Sequence, residues 1–194
     1  MPATPTTLNR VRYFELGLDL LAEVGAKGVT IDALCTRLQV TKGSFYHHFA
    51  GVRDFMAQLL AYWEDRYGQR LAREALAARG PAEMIPLMKH GAAYDVHHEA
   101  ESAIRALAQS DPCAAEAQRR VDQGREDLLT DAYVAVGMTP DTARALARIG
   151  VAILVGTQQR ERPVDRDGLF SLLDEYQRWA EHSAGTDRLR GGTR

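Results

Sequence analysis

The fold of this chain is decided by a ten-residue stretch, VTKGSFYHHF, which runs from Val40 to Phe49. Three aromatic residues and two adjacent histidines lie within it, so it could be a metal site, a buried aromatic cluster or a contact surface. Because threonine is a favoured N-cap, Thr41 predicts that a short helix begins here. Adjacent side chains diverge by roughly 100° around a helix, so His47 and His48 cannot easily hold one ion together. No further ligand stands at a useful spacing nearby, and we expect no metal here.

A second short helix precedes this stretch. Thr30 is placed as its N-cap, and apolar residues then follow at helical spacing: Ile31, Leu34, Cys35 and Leu38. Two short helices joined by a tight turn have the proportions of a helix-turn-helix. Neither is long enough to be stable alone in water, so both must pack on a first helix, predicted from Thr7 to a stop at Gly25.

The short helix that begins at Thr41 is predicted to have two different faces. Its packed side takes the apolar residues of the stretch together with those of the helix before it, and His48 points to that side. The outward side keeps Lys42, Gly43, Ser44, Tyr46 and His47. Side chains of these types hydrogen-bond phosphates and base edges, and a glycine allows DNA to come close. The alternative for Lys42 and Ser44 is an ordinary solvated helix face.

The remainder of the chain also predicts helices, because no sustained alternation of apolar and polar residues occurs. Glycine and proline divide it into segments, which we expect to be helical near residues 52–78, 82–98, 99–109, 112–136, 140–160 and 167–184. The Gly- and Arg-rich end, residues 185–194, is predicted to be disordered. The fold class expected is all-α, with a three-helix N-terminal domain followed by a helical bundle.

Composition and charge exclude several classes of protein. Of the formal net charge of −2, residues 1–53 carry +2 and the remaining residues −4, a modest indication of a polyanionic partner at one end. The two cysteines, Cys35 and Cys113, are far apart, which argues against a disulfide framework and favours a reducing cytoplasm. No apolar run approaches the roughly 20 residues needed to cross a bilayer. We therefore expect a cytoplasmic protein with no membrane partner, metal or cofactor.

Over roughly residues 8–60, the order of these features resembles the TetR (tetracycline-repressor-like) family of bacterial transcriptional regulators. The resemblance rests on the segment Thr30–Leu34, on the quoted stretch, and on the long helix after it. It implies a homodimer whose residues 1–53 bind DNA and whose residues 54–184 bind a small-molecule effector and form the dimer. The function it implies is repression at a near-palindromic operator, released when the effector binds.

The resemblance also implies roles for single residues. Thr30 and Tyr46 would contact phosphates, and Thr41 would cap the recognition helix. Gly43 would let the DNA come close to that helix. Lys42, Ser44 and His47 would approach base edges, with Lys42 the first choice for reading sequence. Two departures stand out. Gln39 occupies a turn position that usually holds glycine, so a modest strain or an altered turn is expected there. Val52 occupies the position of the usual phosphate-anchoring lysine, so either Arg53, one residue later, replaces that lysine or one phosphate contact is missing.

Two further sets are expected in the C-terminal part. The first could line an apolar effector pocket, although each member is more often ordinary core: Trp63, Tyr67, Met84, Met88, His90, Tyr94 and His97. The second could form the dimer interface, with internal core as the alternative: Leu146, Ile149, Gly150, Ile153, Leu154, Leu169, Leu172 and Tyr176.

Two competing functions can be weighed against regulation. An enzyme is disfavoured, because no nucleophile triad, phosphate-cradling glycine loop or metalloprotease motif occurs. A helical scaffold without DNA binding remains open, and it differs in that its affinity for random duplex DNA would be negligible.

Overall fold

A computed structural model describes the backbone over residues 5–69 and 80–191, and every segment of regular structure in those ranges is helical. The helices are α1 (Pro5–Val24), α2 (Ile31–Leu38), α3 (Lys42–His48), α4 (Val52–Trp63), α5 (Pro81–His90), α6 (His98–Leu107), α7 (Pro112–Ala135), α8 (Pro140–Arg160) and α9 (Arg166–Gly191). A 3₁₀ turn, Ala26–Gly28, follows α1, and π-helical segments follow α4 (Glu64–Gln69) and α5 (Gly91–Asp95). The predicted all-α class is confirmed.

The chain packs as two compact units. The first contains residues up to Asp65 together with His97–Arg119, and the second contains Arg66–Val96 and the chain from Arg120 onward. This division by contacts differs from the predicted domains, 1–53 and 54–184, because α4 and α6 both pack on α1. The predicted domains were drawn on function, and they stay a prediction.

The first unit is built around aromatic rings. Phe49 is its centre, with ring centroids 5.4 Å from Tyr13, 5.1 Å from Phe45 and 5.0 Å from Phe55. The side chains fully enclosed around these rings include Leu18, Leu21, Leu34, Leu59 and Trp63. Because α2 and α3 share this core with α1 and α4, two helices too short to persist alone are held in place.

Helix α4 approaches α1 closely at Gly17. A Cβ atom placed on Gly17 would lie 2.7 Å from Cζ of Phe55 and 3.1 Å from Cδ2 of Leu59. These distances are too short for carbon atoms, so glycine is what allows the two helices to pack here.

The second unit has two apolar clusters. One is formed mainly by α5, α7 and α8, and includes Met84, Met88, Leu128, Tyr133 and Leu146. The other joins the π-helical segment after α5 to α8 and α9, and includes Ala93, Leu154, Leu169 and Leu173.

Most predicted helices occur close to the expected bounds. The long helix predicted over 52–78 is α-helical only to Trp63 and π-helical to Gln69, and residues 70–79 lie outside the described ranges. The helix predicted over 82–98 ends at His90, because a π-helical segment and an extended residue, Val96, follow. Helix α9 is described to Gly191. The disordered end predicted over residues 185–194 stays a prediction. In the described part of the chain, every helix is too short or too polar to cross a bilayer.

Candidate functional site

The helix-turn-helix begins each of its helices with a threonine cap, as predicted. The Thr30 hydroxyl accepts a hydrogen bond from the Ala33 N–H at 3.1 Å, and the Thr41 hydroxyl accepts one from the Ser44 N–H at 3.2 Å. Each bond involves one of the first backbone donors of its helix, and the Ser44 N–H also donates to the Thr41 carbonyl at 3.0 Å. Both hydroxyl protons remain free to donate to an acceptor outside the helix.

The turn between α2 and α3 passes through Gln39, with φ 56° and ψ 43°. This is the one positive φ at a non-glycine position among residues 5–69 and 80–191, and it lies in the left-handed region that glycine occupies without penalty. The Gln39 N–H bonds back to α2, and the Val40 N–H donates to the Cys35 carbonyl at 3.0 Å. The buried Cys35 thiol donates to the Thr41 carbonyl at 3.7 Å, and burial raises the pKa of that thiol.

Helix α3 has the two faces that the sequence predicts. Phe45 is fully buried and Phe49 nearly so, whereas Tyr46 is 57% exposed. Lys42, Gly43 and His47 are exposed as well. Ser44 is half-buried, and its Oγ accepts a hydrogen bond from the Tyr13 hydroxyl at 3.4 Å. We call residues 41–44 and 46–47, which are exposed except for the half-buried Ser44, the polar face of α3.

Lys42 is paired within the protein. Its Nζ lies 2.6 Å from Oδ1 of Asp32, and the side chains are 63% and 73% exposed. The hydrogen-bonded Asp32 carboxylate raises the pKa of Lys42. Sequence reasoning missed Asp32, although an acid in the first turn of α2 was its visible signal.

Gly43 is not required by the packing of the protein. A Cβ atom placed there would meet only Oγ1 of Thr41, at an ordinary 3.6 Å. The space above Gly43 is therefore open, which fits the expectation that another molecule approaches closely at this point.

The adjacent histidines differ in burial, although their ring centroids lie only 5.0 Å apart. His48 is half-buried with its ring centroid 5.8 Å from that of Tyr13, whereas His47 is exposed. Burial lowers the pKa of His48, and the neighbouring His47 and Arg10 lower it further. Within the residues that the structure describes, no cluster of three or more His, Cys, Asp or Glu side chains could hold a metal ion.

Arg53 is exposed at the second position of α4. Its neighbour Asp54 anchors that helix, since its carboxylate accepts hydrogen bonds from the Ala50 N–H and from Nε2 of Gln58, both at 2.9 Å. The bonds from Gln58 and Ala50 lower the pKa of Asp54. Arg53 thus extends from a fixed helix start close to α3 in sequence.

The second unit contains a cavity of about 60 Å³. Its walls are almost entirely apolar, and its lining residues are Ile85, Met88, Lys89, Ala92, Val96, Arg125, Leu129, Tyr133, Gly150, Val151, Leu154, Leu173, Tyr176 and Gln177. One water needs roughly 10–15 Å³ on such a measure, so the space holds a few waters. A drug-sized molecule does not fit inside this space without widening it.

The structure does not bring the seven predicted pocket residues together. Met88 lines the cavity and Met84 belongs to the apolar cluster beside it. Trp63 is core of the first unit, and Tyr67 lies in the π-helical segment after α4.

The remaining three predicted pocket residues form polar contacts away from the cavity. His90 lies at the surface, with Nδ1 3.8 Å from Oδ2 of Asp95. The Tyr94 hydroxyl donates to Asp167 at 2.7 Å, and Nε2 of His97 lies 3.2 Å from Asp19. The regular spacing of His90, Tyr94 and His97 is interrupted because α5 ends at His90.

The polar residues of the cavity wall come mainly from α7 and α9. Tyr133 and Tyr176 both line the wall, Tyr176 donates to the Leu146 carbonyl, and burial raises the pKa of both phenols. Arg125 is only 6% exposed. Sequence reasoning missed Arg125. Its signal was a charged residue four positions after Val121 and three before Leu128, on the apolar side of α7.

The residues predicted for the dimer interface fall into two groups. Leu146, Gly150, Leu154 and Leu169 are buried within the chain itself, and Tyr176 is half-buried against the cavity. Ile149 and Leu172, by contrast, are 41% and 49% exposed, and Ile153 is half-buried. The first group already packs internally, so an interface on α8 and α9 must rely on the second.

Comparison with known proteins relates the chain to one family. Residues 14–59 match the model of bacterial regulatory proteins of the tetR family. No curated protein gives a significant match over the sequence.

Solved structures share the fold along most of the chain. A transcriptional regulator from Rhodococcus sp. Rha1 is 19% identical, with a TM-score of 0.71 over 90% of this chain and 97% of that one. A TetR transcriptional regulator from Legionella pneumophila is 12% identical, with a TM-score of 0.73 over the same shares, 90% and 97%. The fatty acid degradation regulator FadR from Bacillus halodurans is 14% identical, with a TM-score of 0.68 over 93% and 96%. At these identities the likeness shows the fold alone.

Proposed function

We propose that this chain, which belongs to the tetR family of bacterial regulatory proteins by its N-terminal domain, binds a DNA operator as a homodimer and releases it on binding a small molecule. The observation that carries the proposal is the polar face of α3. It stands exposed over Phe45 and Phe49, within the residues that match the family. An apolar support with a polar outer face is what a recognition helix needs in order to enter the major groove.

The predicted contacts follow from this arrangement. Lys42, Ser44 and His47 approach base edges, and Gly43 allows the groove to come close. Thr30, Thr41 and Tyr46 position the helix through phosphates, and Arg53 supplies a further phosphate contact from the start of α4. The free hydroxyl protons of the two threonines and the exposed Tyr46 support these roles.

The homodimer is supported by the apolar residues that α8 and α9 leave at the surface. Ile149 and Leu172 are large and well exposed, and Trp179 on α9 is 55% exposed. Several exposed apolar residues on two long helices favour burial against another chain. A two-fold dimer would present two copies of α3 to successive half-sites of a near-palindromic operator.

The effector is proposed to bind in the cavity of the second unit, and to be small and mainly apolar. The apolar walls support this class, and the protonated Tyr133 and Tyr176 phenols can hydrogen-bond a polar group without adding charge. An effector that widens the cavity favours one conformation of the dimer. It changes operator affinity only by as much as it discriminates between conformations.

The test of DNA binding is selection of duplexes from a random pool by the purified protein. We expect one near-palindromic sequence to be enriched, and binding to weaken steeply with salt because phosphate contacts release counterions. Lys42→Ala should weaken operator binding about 5- to 100-fold and relax one base position, the usual range for a base-reading side chain. Lys27→Ala, which removes an exposed lysine outside α2 and α3, is the matched control. Failure to enrich any sequence would exclude the regulator and favour the helical scaffold.

The test of the effector site uses the cavity wall. Ala92→Leu adds volume inside the cavity, so it should leave operator binding intact and weaken release by any effector found in a compound screen. Equal release from Ala92→Leu and the unmodified protein would place the effector elsewhere.

A further inference from the structure

The lysine expected to read the operator is already engaged with a carboxylate. Nζ of Lys42 lies 2.6 Å from Oδ1 of Asp32, across the turn that joins α2 to α3. Asp32 lies in the first turn of α2, where the helix dipole favours a negative charge. The pair is exposed, so an approaching duplex meets both charges together.

We propose that Asp32 is a specificity-determining residue that acts through Lys42. The proposal rests on the function inferred above, because it concerns how the same face discriminates an operator from other DNA. Asp32 lowers the attraction of Lys42 for phosphates and leaves its ability to read a base.

The donor inventory of the lysine explains how both effects arise. An ammonium group has three N–H donors, and Asp32 occupies one of them. The other two can go to O6 and N7 of a guanine, the pair of acceptors that lysine and arginine commonly recognise in the major groove. Guanine acceptors carry no net charge and do not repel Asp32. A phosphate does repel Asp32, so a phosphate contact by Lys42 is disfavoured.

A second ion pair in the first unit supplies a matched control. Arg37 makes two hydrogen bonds to Glu23, at 2.9 and 2.5 Å, and both side chains are partly exposed. Glu23→Gln therefore frees a cation and changes the net charge of the protein by the same amount as Asp32→Asn. It does so at the end of α1 and the last turn of α2, away from the polar face of α3 in sequence.

The experiment measures the affinities of unmodified protein, Asp32→Asn and Glu23→Gln for the enriched operator and for a random-sequence duplex across a salt series. For Asp32→Asn we expect random-duplex affinity to rise about two- to fivefold near 0.1 M salt, the range of an exposed ion pair. For random duplex, the slope of log affinity against log salt concentration should become more negative by about one. Operator affinity should not rise in proportion, so the ratio of the two affinities falls. Glu23→Gln should change both affinities by the same factor.

The background of Lys42→Ala separates action through the lysine from plain charge repulsion. In that background, Asp32→Asn should no longer change the ratio of affinities. If the ratio still falls by the same factor, Asp32 repels DNA directly and the proposal is overturned. An unchanged ratio in the single variant Asp32→Asn also overturns it, provided that the unmodified protein selects an operator. If the unmodified protein selects none, the proposed function itself has failed.

Folding of each variant is followed by circular dichroism and thermal midpoint. If Asp32→Asn does not fold, Lys42→Ala alone still decides. Because Asp32 already offsets the lysine charge, Lys42→Ala should reduce operator affinity and leave the salt dependence on random duplex unchanged. A loss of a full unit in that dependence would overturn the proposal.

Discussion

At the scale of single residues, the turn of the helix-turn-helix holds a side chain in a backbone region that glycine occupies freely. Gln39 adopts φ 56° there, fixed by hydrogen bonds from its own N–H and that of Val40 to α2. A residue with a Cβ atom is strained in this region by roughly 1–2 kcal/mol. The strain lies next to α3, so it affects the stability of the proposed DNA-binding surface.

Gln39→Gly is expected to stabilise the protein by about 0.5–1 kcal/mol, since relief of strain exceeds the extra freedom of glycine in the unfolded chain. Gln39→Val should destabilise it, because a β-branched side chain is least compatible with a positive φ. Urea unfolding of the three proteins measures both effects. A lower midpoint for Gln39→Gly would contradict the strain.

His48 predicts a dependence of stability on pH. Burial places the folded pKa of His48 below the ordinary value of about 6.5, so in that window the unfolded chain binds more protons than the folded one. The stability contributed by neutral His48 is therefore present above about pH 6.5 and is lost as the pH falls through the folded pKa. His48→Gln should reduce this loss between about pH 7 and pH 5, as thermal midpoints across the range will measure. An unchanged slope would show that His48 is equally protonated in both states.

At the scale of helices, spacing and caps predict most boundaries because those signals are local. Thr30, Thr41 and Gly25 mark helix ends that the structure confirms. The change from α-helix to π-helix after Trp63 and after His90 has no such local signal, since the same residues suit either geometry. The spacing of four and three residues would place His90, Tyr94 and His97 on one face of a continuous α-helix, but α5 ends at His90.

Gly17 determines how closely α1 and α4 pack. Gly17→Ala should gain about 1 kcal/mol of helix propensity but lose roughly 1–3 kcal/mol by overlap with Phe55, for a net loss of stability. Gly124→Ala in α7 is the control, because no atom outside its own helix lies within 4 Å of the added Cβ. It should stabilise the protein by up to about 1 kcal/mol. Denaturant unfolding measures the stability of both variants. If Gly17→Ala stabilised the protein as Gly124→Ala does, α1 and α4 would have to move apart at little cost.

At the scale of the whole molecule, the sequence predicts the exposure of the polar face of α3 better than it predicts the lining of the cavity. The polar face of α3 could be derived from ten residues, because one amphipathic helix determines which side chains are outside. The cavity draws residues from α5, α7, α8 and α9, so its lining depends on tertiary packing that no local pattern contains. The same packing buries Leu146 and Leu154, which spacing alone cannot distinguish from exposed residues such as Ile149.

The proposed dimer can be tested on the exposed residues of α8 and α9. Ile149→Glu and Leu172→Glu together should convert the dimer to a monomer and reduce operator affinity, because charges would be buried at the interface. Leu87→Glu on α5 is the control, since Leu87 is equally exposed, at 48%, but lies outside the proposed interface. Light scattering after size-exclusion chromatography gives the mass of each variant. A doubly substituted protein that remains dimeric would exclude this interface.

The open space above Gly43 has an evolutionary and practical consequence. Among the residues that the structure describes, only Oγ1 of Thr41 lies within 4 Å of a methyl group added here, at an ordinary 3.6 Å, so a change to alanine would not lower the melting temperature but would push a bound major groove away from α3. Under the proposed function, such a protein would keep its fold and lose affinity for the operator. In the proposed homodimer, each pairing with an unmodified subunit would hold only one competent copy of α3, so one added carbon atom would act in a dominant-negative way.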